Sequence, residues 1–184
     1  MTLIIRLNQI IAQYIHAIFE PWLSQFVARF AFAAVLMNYY WASAMTKIGE
    51  SLWQPSIGAY YQIFPAATQA VSYDASQLSG FYTFIVLLGT YAEFVLPALI
   101  VFGLFTRLAA LGMIGFVFIQ TLTDIYGHGV DEATIGAWFD RASDALILDQ
   151  RLLWVTILMV IFARGPGTLS LDKLFGAEMH THEI

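Results

Sequence analysis

Apolar residues dominate four stretches of the chain, 26–48, 81–102, 107–126 and 145–163. Each is close to the roughly 20 residues that a helix needs to cross about 30 Å of hydrocarbon. A different pattern precedes them. Arg6, Gln9, Gln13, His16 and Glu20 recur every three or four residues, with Leu7, Ile10, Ile11, Tyr14, Ile18 and Trp22 on the opposite face. That spacing predicts an amphipathic helix lying in a membrane interface. Asn8, Gln9 and Gln13 interrupt the apolar core a signal peptide would need, so a cleaved leader is not expected. Pro21 is expected to separate this helix from the next.

The connections carry their own signals. Gly103-Leu104-Phe105-Thr106 joins the second and third stretches, with Gly103 placed to close one helix and Thr106 to cap the next in a tight antiparallel hairpin. Residues 49–80 hold Trp53, Tyr60, Tyr61, Phe64, Tyr73, Pro55 and Pro65, which suits a loop or short helices at headgroup level. Residues 127–144 are acidic and include Trp138 and Phe139. No internal repeat stands out.

Composition turns these stretches into a fold class. The chain is 59% hydrophobic and 11% charged, with a mean hydropathy of +0.70, whereas soluble domains carry about 25% charged residues. The expected fold is all-α: a four-helix transmembrane bundle with an N-terminal amphipathic interfacial helix. Its divisions are 1–24 for that helix, 25–176 for the membrane domain and 177–184 for a polar tail, and the bilayer is its first partner. The net charge of −5 comes without a basic stripe and so excludes a nucleic-acid footprint. Zero cysteines exclude disulfides and any thiol relay within the chain. Four scattered histidines do not suit haem ligation, and His180-Thr181-His182 reads as tail, so no metal is expected. Arg6, Arg29, Arg107, Arg164 and Lys173 fall on one side of the bundle and Lys47, Arg141 and Arg151 on the other, which places both termini in the cytoplasm.

Glu93 lies midway along 81–102 with no other charge in that stretch. A carboxylate there needs a cation, a proton or a wet cavity, and such residues are functional by default. Pro97 adds to the demand, because it has no N–H for the carbonyl of residue 93. Arranged antiparallel, the four helices gather polar residues toward one end: Lys47 closes the first, Gln120, Asp124 and His128 follow along the third, and Asp149 and Arg151 open the fourth. Asn38, Tyr40, Trp41 and Ser43 add hydrogen-bonding groups. A polar pocket between helices is the expected arrangement.

Plainer readings stand beside this one. Glu93 could form a purely structural ion pair with Lys47 or Arg151, and Lys47 could snorkel to the interface. Asp124 and His128 could be solvated loop residues, and Asp149 a first-turn acid favoured by the helix dipole. The aromatic residues could all be lipid-facing.

Taken together, Trp41 to Ile48, Ala92-Glu93-Phe94-Val95-Leu96-Pro97, Gly103 to Ala110 and Arg164 to Asp172 resemble the DoxX family of small bacterial membrane proteins. The resemblance implies four helices in the bacterial inner membrane. The family's Lys, Glu and Gly-x-x-Thr-Arg turn fall on Lys47, Glu93 and Gly103 with Thr106 and Arg107. Relatives are linked to thiosulfate oxidation with quinone as acceptor and to complexes that handle thiol stress. The expected function is therefore a subunit of a membrane oxidoreductase system that binds a quinone or a small sulfur compound, with no covalently bound cofactor. Glu93 and Lys47 would carry the chemistry, and Arg151, Asp124, Gln120, Asn38, Trp41, Asp149 and His128 would contribute to the ligand site. Redox equivalents would come from a soluble or membrane partner protein. The alternative is a non-enzymatic scaffold or small-solute carrier, in which an oligomer could line a path and Glu93 forms a structural or gating pair.

Overall fold

The computed structural model describes residues 2–19 and 23–176. Glu20, Pro21, Trp22, His180 and His182 lie outside the described residues, as does the side chain of His16. Among the described residues the chain forms nine helices and one small hairpin. Helix α1 is Thr2–Phe19. Helix α2 covers 23–47 as two α-helical segments, Leu23–Phe32 and Asn38–Lys47, joined through a π turn at Ala33–Met37. Strands β1 (Ile48–Ser51) and β2 (Gln54–Pro55) form an antiparallel hairpin, followed by the short helices α3 (Ile57–Ile63) and α4 (Pro65–Ala70). Helix α5 is Gly80–Phe102, and α6 is Thr106–His128, whose last turns from Thr123 are π-helical. Helix α7 (Glu132–Ile135), α8 (Leu148–Arg164) and α9 (Leu171–Leu174) complete the order.

Four of these helices close a ring in which α2 packs on α5 and α8, and α6 packs on the same two. Each turns one stripe inward. In α2 the buried positions are Ala28, Phe32, Leu36, Tyr40, Ala44 and Lys47. A stripe spaced strictly by four drifts around a helix of about 3.6 residues per turn. The π turn underwinds the helix locally and counters that drift, which keeps Tyr40 and Lys47 on the inner face. Helix α5 buries Val86, Thr90, Glu93, Pro97 and Ile100, and α8 buries Arg151, Trp154, Leu158 and Ile161. The buried charges thus continue the same inward stripes as the apolar core around Phe32, Leu36, Ile100, Met113 and Leu158.

The outward surfaces are apolar. Phe84, Leu88 and Val95 on α5, Phe118 and Ile119 on α6, and Leu153 and Met159 on α8 are exposed. Helices α5 and α6 are both long and apolar enough to cross a membrane, and they pack together. The described side chains of α1 are exposed on both faces, and α1 contacts α2.

Two local expectations change. The connection 49–80 does contain short helices, but it opens with the β1–β2 hairpin, whose tip rests on α5 through the Tyr91 hydroxyl, which donates to the Leu52 carbonyl at 2.6 Å. Gly103 closes α5 in the left-handed region at φ +70°, yet Thr106 does not cap α6. Phe105, at φ +48°, takes the cap position, and the carboxylate of Asp172 accepts from Phe105 N–H at 2.8 Å and from Thr106 N–H at 3.0 Å. The Thr106 hydroxyl donates to the same carboxylate at 2.9 Å, and the Asp172 N–H donates back to the Gly103 carbonyl at 2.8 Å. A residue 66 positions downstream supplies the cap that a side chain on the turn itself would usually provide.

Candidate functional site

The site lies where α2 ends, α5 passes its midpoint and α6 approaches its π-helical end. Lys47 is 4% exposed, so it turns into the bundle rather than out to an interface. Its ammonium donates to both oxygens of Glu93, at 2.9 Å and 2.8 Å, and to Ser43 Oγ at 2.7 Å. Ser43 in turn donates to Glu93 Oε1 at 3.4 Å. All three ammonium hydrogens are therefore committed, two of them to the carboxylate.

The interhelical bond beside Pro97 falls on the carbonyl of residue 94, not on that of residue 93. The indole N–H of Trp41 donates to the carbonyl of Phe94 at 3.1 Å, next to the carbonyl that the proline leaves without its helical donor. This bond ties α2 to α5 beside Glu93, so Trp41 holds the pair's two helices together and is not among the residues lining the cavity beside them.

A second ion pair crosses from α8 to α6. Arg151 donates to Asp124 through Nη2 and to the Thr121 hydroxyl through Nη1 at 3.0 Å. Asp124 is thus a partnered residue of the bundle and not a solvated loop acid. Between the two pairs, Gln120 accepts from the buried Tyr40 hydroxyl at 3.3 Å and donates to Tyr39 Oη at 3.1 Å. Glu93 and Arg151 belong to separate pairs.

A cavity of about 550 Å³ opens between α5 and α6 beside these groups. Ser43, Lys47, Glu93, Gln120, Asp124 and His128 face it as its polar wall, with Ile85, Leu88, Leu96, Phe116 and Ile119 as its apolar one. Its size and mixed lining are those of small-molecule sites. His128 stands at the loop side, edge-on to Tyr61 with ring centroids 5.4 Å apart. Its Nε2 lies 3.0 Å from the Gln62 carbonyl, and because a carbonyl can only accept, Nε2 carries the hydrogen.

Of the expected site residues, Lys47, Glu93, Gln120, Asp124 and His128 come together on this cavity, and Arg151 stands behind Asp124. Asn38 and Asp149 do not join them. Asn38 is exposed at the start of the segment that follows the π turn, and Asp149 accepts from the Ala145 N–H at 3.1 Å, a bond that fixes the approach to α8.

Sequence reasoning gave no structural role to two residues at the other end of the bundle. Arg29 reaches across to the carbonyls of Ile100 and Val101, which end α5, and to those of Pro166 and Leu169. Asp172 clamps the α5–α6 turn. The available signals were one arginine inside an apolar stretch, which must find acceptors, and the presence of Gly103 to Ala110 and Arg164 to Asp172 in one resemblance.

In comparisons with protein-family models, curated proteins and solved structures, the chain matches none of them.

Proposed function

We propose that the chain is a four-span protein of the bacterial inner membrane, of the DoxX kind, and that it binds a quinone or a small sulfur compound in the cavity beside Lys47 and Glu93. The carrying observation is that a cavity of about 550 Å³ opens directly on a buried, fully hydrogen-bonded Lys–Glu pair.

Four spans are supported by the inversion of the usual pattern, with charges turned inward and large apolar side chains turned out. Helix α8 has 17 residues, at the lower limit of about 17 for a span. Helix α2 is longer but carries Arg29, whose head is satisfied by backbone carbonyls at the bundle's end. With α1 at the interface, Arg29, Arg107, Arg164 and Lys173 share the cytoplasmic side.

A quinone ring fits the lining. It needs a slot with apolar walls and hydrogen-bond donors for its oxygens, and Gln120 and Thr123 offer donor groups on the α6 side, while His128, whose Nε2–H is turned to the Gln62 carbonyl, leaves Nδ1 as an acceptor. Such a ring would bring the electron chemistry. Lys47 and Ser43 hold the Glu93 carboxylate in place, and its oxygens are the point where a proton can be handed to or taken from the ligand. With no cysteine in the chain, redox equivalents would come from the ligand or a partner protein.

Extraction of the purified protein followed by mass spectrometry should recover quinone at a stoichiometric level. Its absence, even after reconstitution with added quinone, sinks the reading. The closed geometry of the pair favours one other role, a structural or gating lock in a scaffold or solute carrier. In that case neither the wild type nor Glu93→Gln would carry quinone, and the folded fraction of Glu93→Gln would lose a solute flux.

A further inference from the structure

The charges around the cavity restrict what it can hold. Lys47 is the one Lys or Arg among its lining residues, and Glu93 already takes two of its hydrogens. Arg151 stands behind Asp124 and is engaged by it. The wall therefore presents two carboxylates, Glu93 and Asp124, each already paired with a cation, and one ammonium that is already taken. An anion entering this space would meet Asp124 and would have to draw Lys47 off Glu93, stranding a buried carboxylate. A neutral head with hydrogen-bonding atoms asks for no such exchange.

The walls also show from which side a ligand arrives. Leu88 of α5 and Ile119 of α6 line the cavity and are 57% and 60% exposed. They are the two sills of a slot between the two most apolar helices. Small residues keep the slot from filling: Gly89 and Ala92 on α5, Gly112 and Gly115 on α6. At Gly115 an added Cβ would meet nothing within 4 Å, so this position looks onto open space.

We propose that the cavity takes a neutral, lipid-soluble molecule with a flat hydrogen-bonding head, admitted sideways from the bilayer between Leu88 and Ile119, and that it turns small anions away. This rests on reading the chain as a membrane protein with a ligand cavity and decides between the two ligand classes that reading leaves open.

The test uses the full chain in lipid nanodiscs, with decylubiquinone as the neutral probe, sodium thiosulfate as the anionic one, and tryptophan fluorescence as readout. Decylubiquinone should quench saturably, and thiosulfate in large excess should neither bind nor compete. Gly115→Leu, which projects into the open space, should weaken decylubiquinone by about tenfold or more, equivalent to at least 1.4 kcal/mol. Leu88→Trp narrows the slot at its sill and, because Leu88 also lines the cavity, is read by its rates: association and dissociation should both be slower than in the wild type. Thiosulfate binding or competition overturns the choice of a neutral ligand while leaving the cavity as a site. Quinone binding unaffected by both variants overturns the lateral slot. If neither probe binds, the reading under Proposed function fails.

Discussion

At the scale of single residues, the governing fact is that Lys47 and Glu93 are buried together and satisfy each other. Removing one partner strands the other charge, which costs about 3–5 kcal/mol, whereas removing both leaves shape to be repaired but no charge. Glu93→Gln should therefore destabilise the purified protein strongly in denaturant unfolding, and Lys47→Met combined with Glu93→Leu should be more stable than Glu93→Gln alone. A double variant as unstable as the sum of its parts would show that the pair is not the unit described. Glu93 was legible in the sequence because an acid in so apolar a stretch must find a partner. That the partner is Lys47 rather than Arg151 was not, since both stood at the same end of the bundle. The choice follows from α2 and α5 being neighbours, while Arg151 on α8 faces Asp124 on α6.

At the scale of elements, the turn between α5 and α6 is held from outside itself. Gly103 sits at φ +70°, and a Cβ there would come within 2.6 Å of Ser170 Cβ and 3.0 Å of Arg29 Nη2. Gly103→Ala should cost roughly 1–2 kcal/mol from the left-handed backbone alone, and more from the clash. Asp172→Ala removes three acceptor contacts at the start of α6 and should cost about 1–2 kcal/mol. Because both changes disturb one clamp, their effects should fall short of additive in a double-mutant cycle.

The short helix α7 offers a pH reading at an exposed site. Hydrogen bonds from the Thr134 N–H and hydroxyl hold the Asp131 carboxyl below the ordinary value. A depressed carboxyl contributes stability that is present above its unfolded pKa and lost as pH falls through its folded pKa. Amide exchange at Thr134 should speed up beyond its intrinsic pH dependence only below the normal aspartate range, and Asp131→Ala should show the faster behaviour at neutral pH. The expectation of Thr106 as cap failed because the deciding contacts come from Asp172, elsewhere in the fold, whereas cap rules read only adjacent residues.

At the scale of the whole molecule, the ring of α2, α5, α6 and α8 leaves an apolar perimeter and concentrates polarity inside. The cysteine-free chain allows a direct topology test. Single cysteines at Leu52 and Leu169, both exposed and at opposite ends of the bundle, should react with an impermeant maleimide from opposite sides of the membrane, with Leu169→Cys on the cytoplasmic side. Labelling of both from one side would refute the four-span arrangement.

The sequence by itself determined the four long helices, because each apolar stretch is too long and too free of charge to be anything else, and the structure places Lys47, Glu93 and Arg151 on their inward stripes. It also marked Glu93 and Pro97 as groups that must find partners. Only the tertiary structure decided which charges meet, that Asp172 and Arg29 close the far end, and that glycines on α5 and α6 leave a cavity instead of a filled seam. Periodicity fixes which way a side chain points, while partners and voids depend on how two helices approach, and that is set jointly by every residue along both.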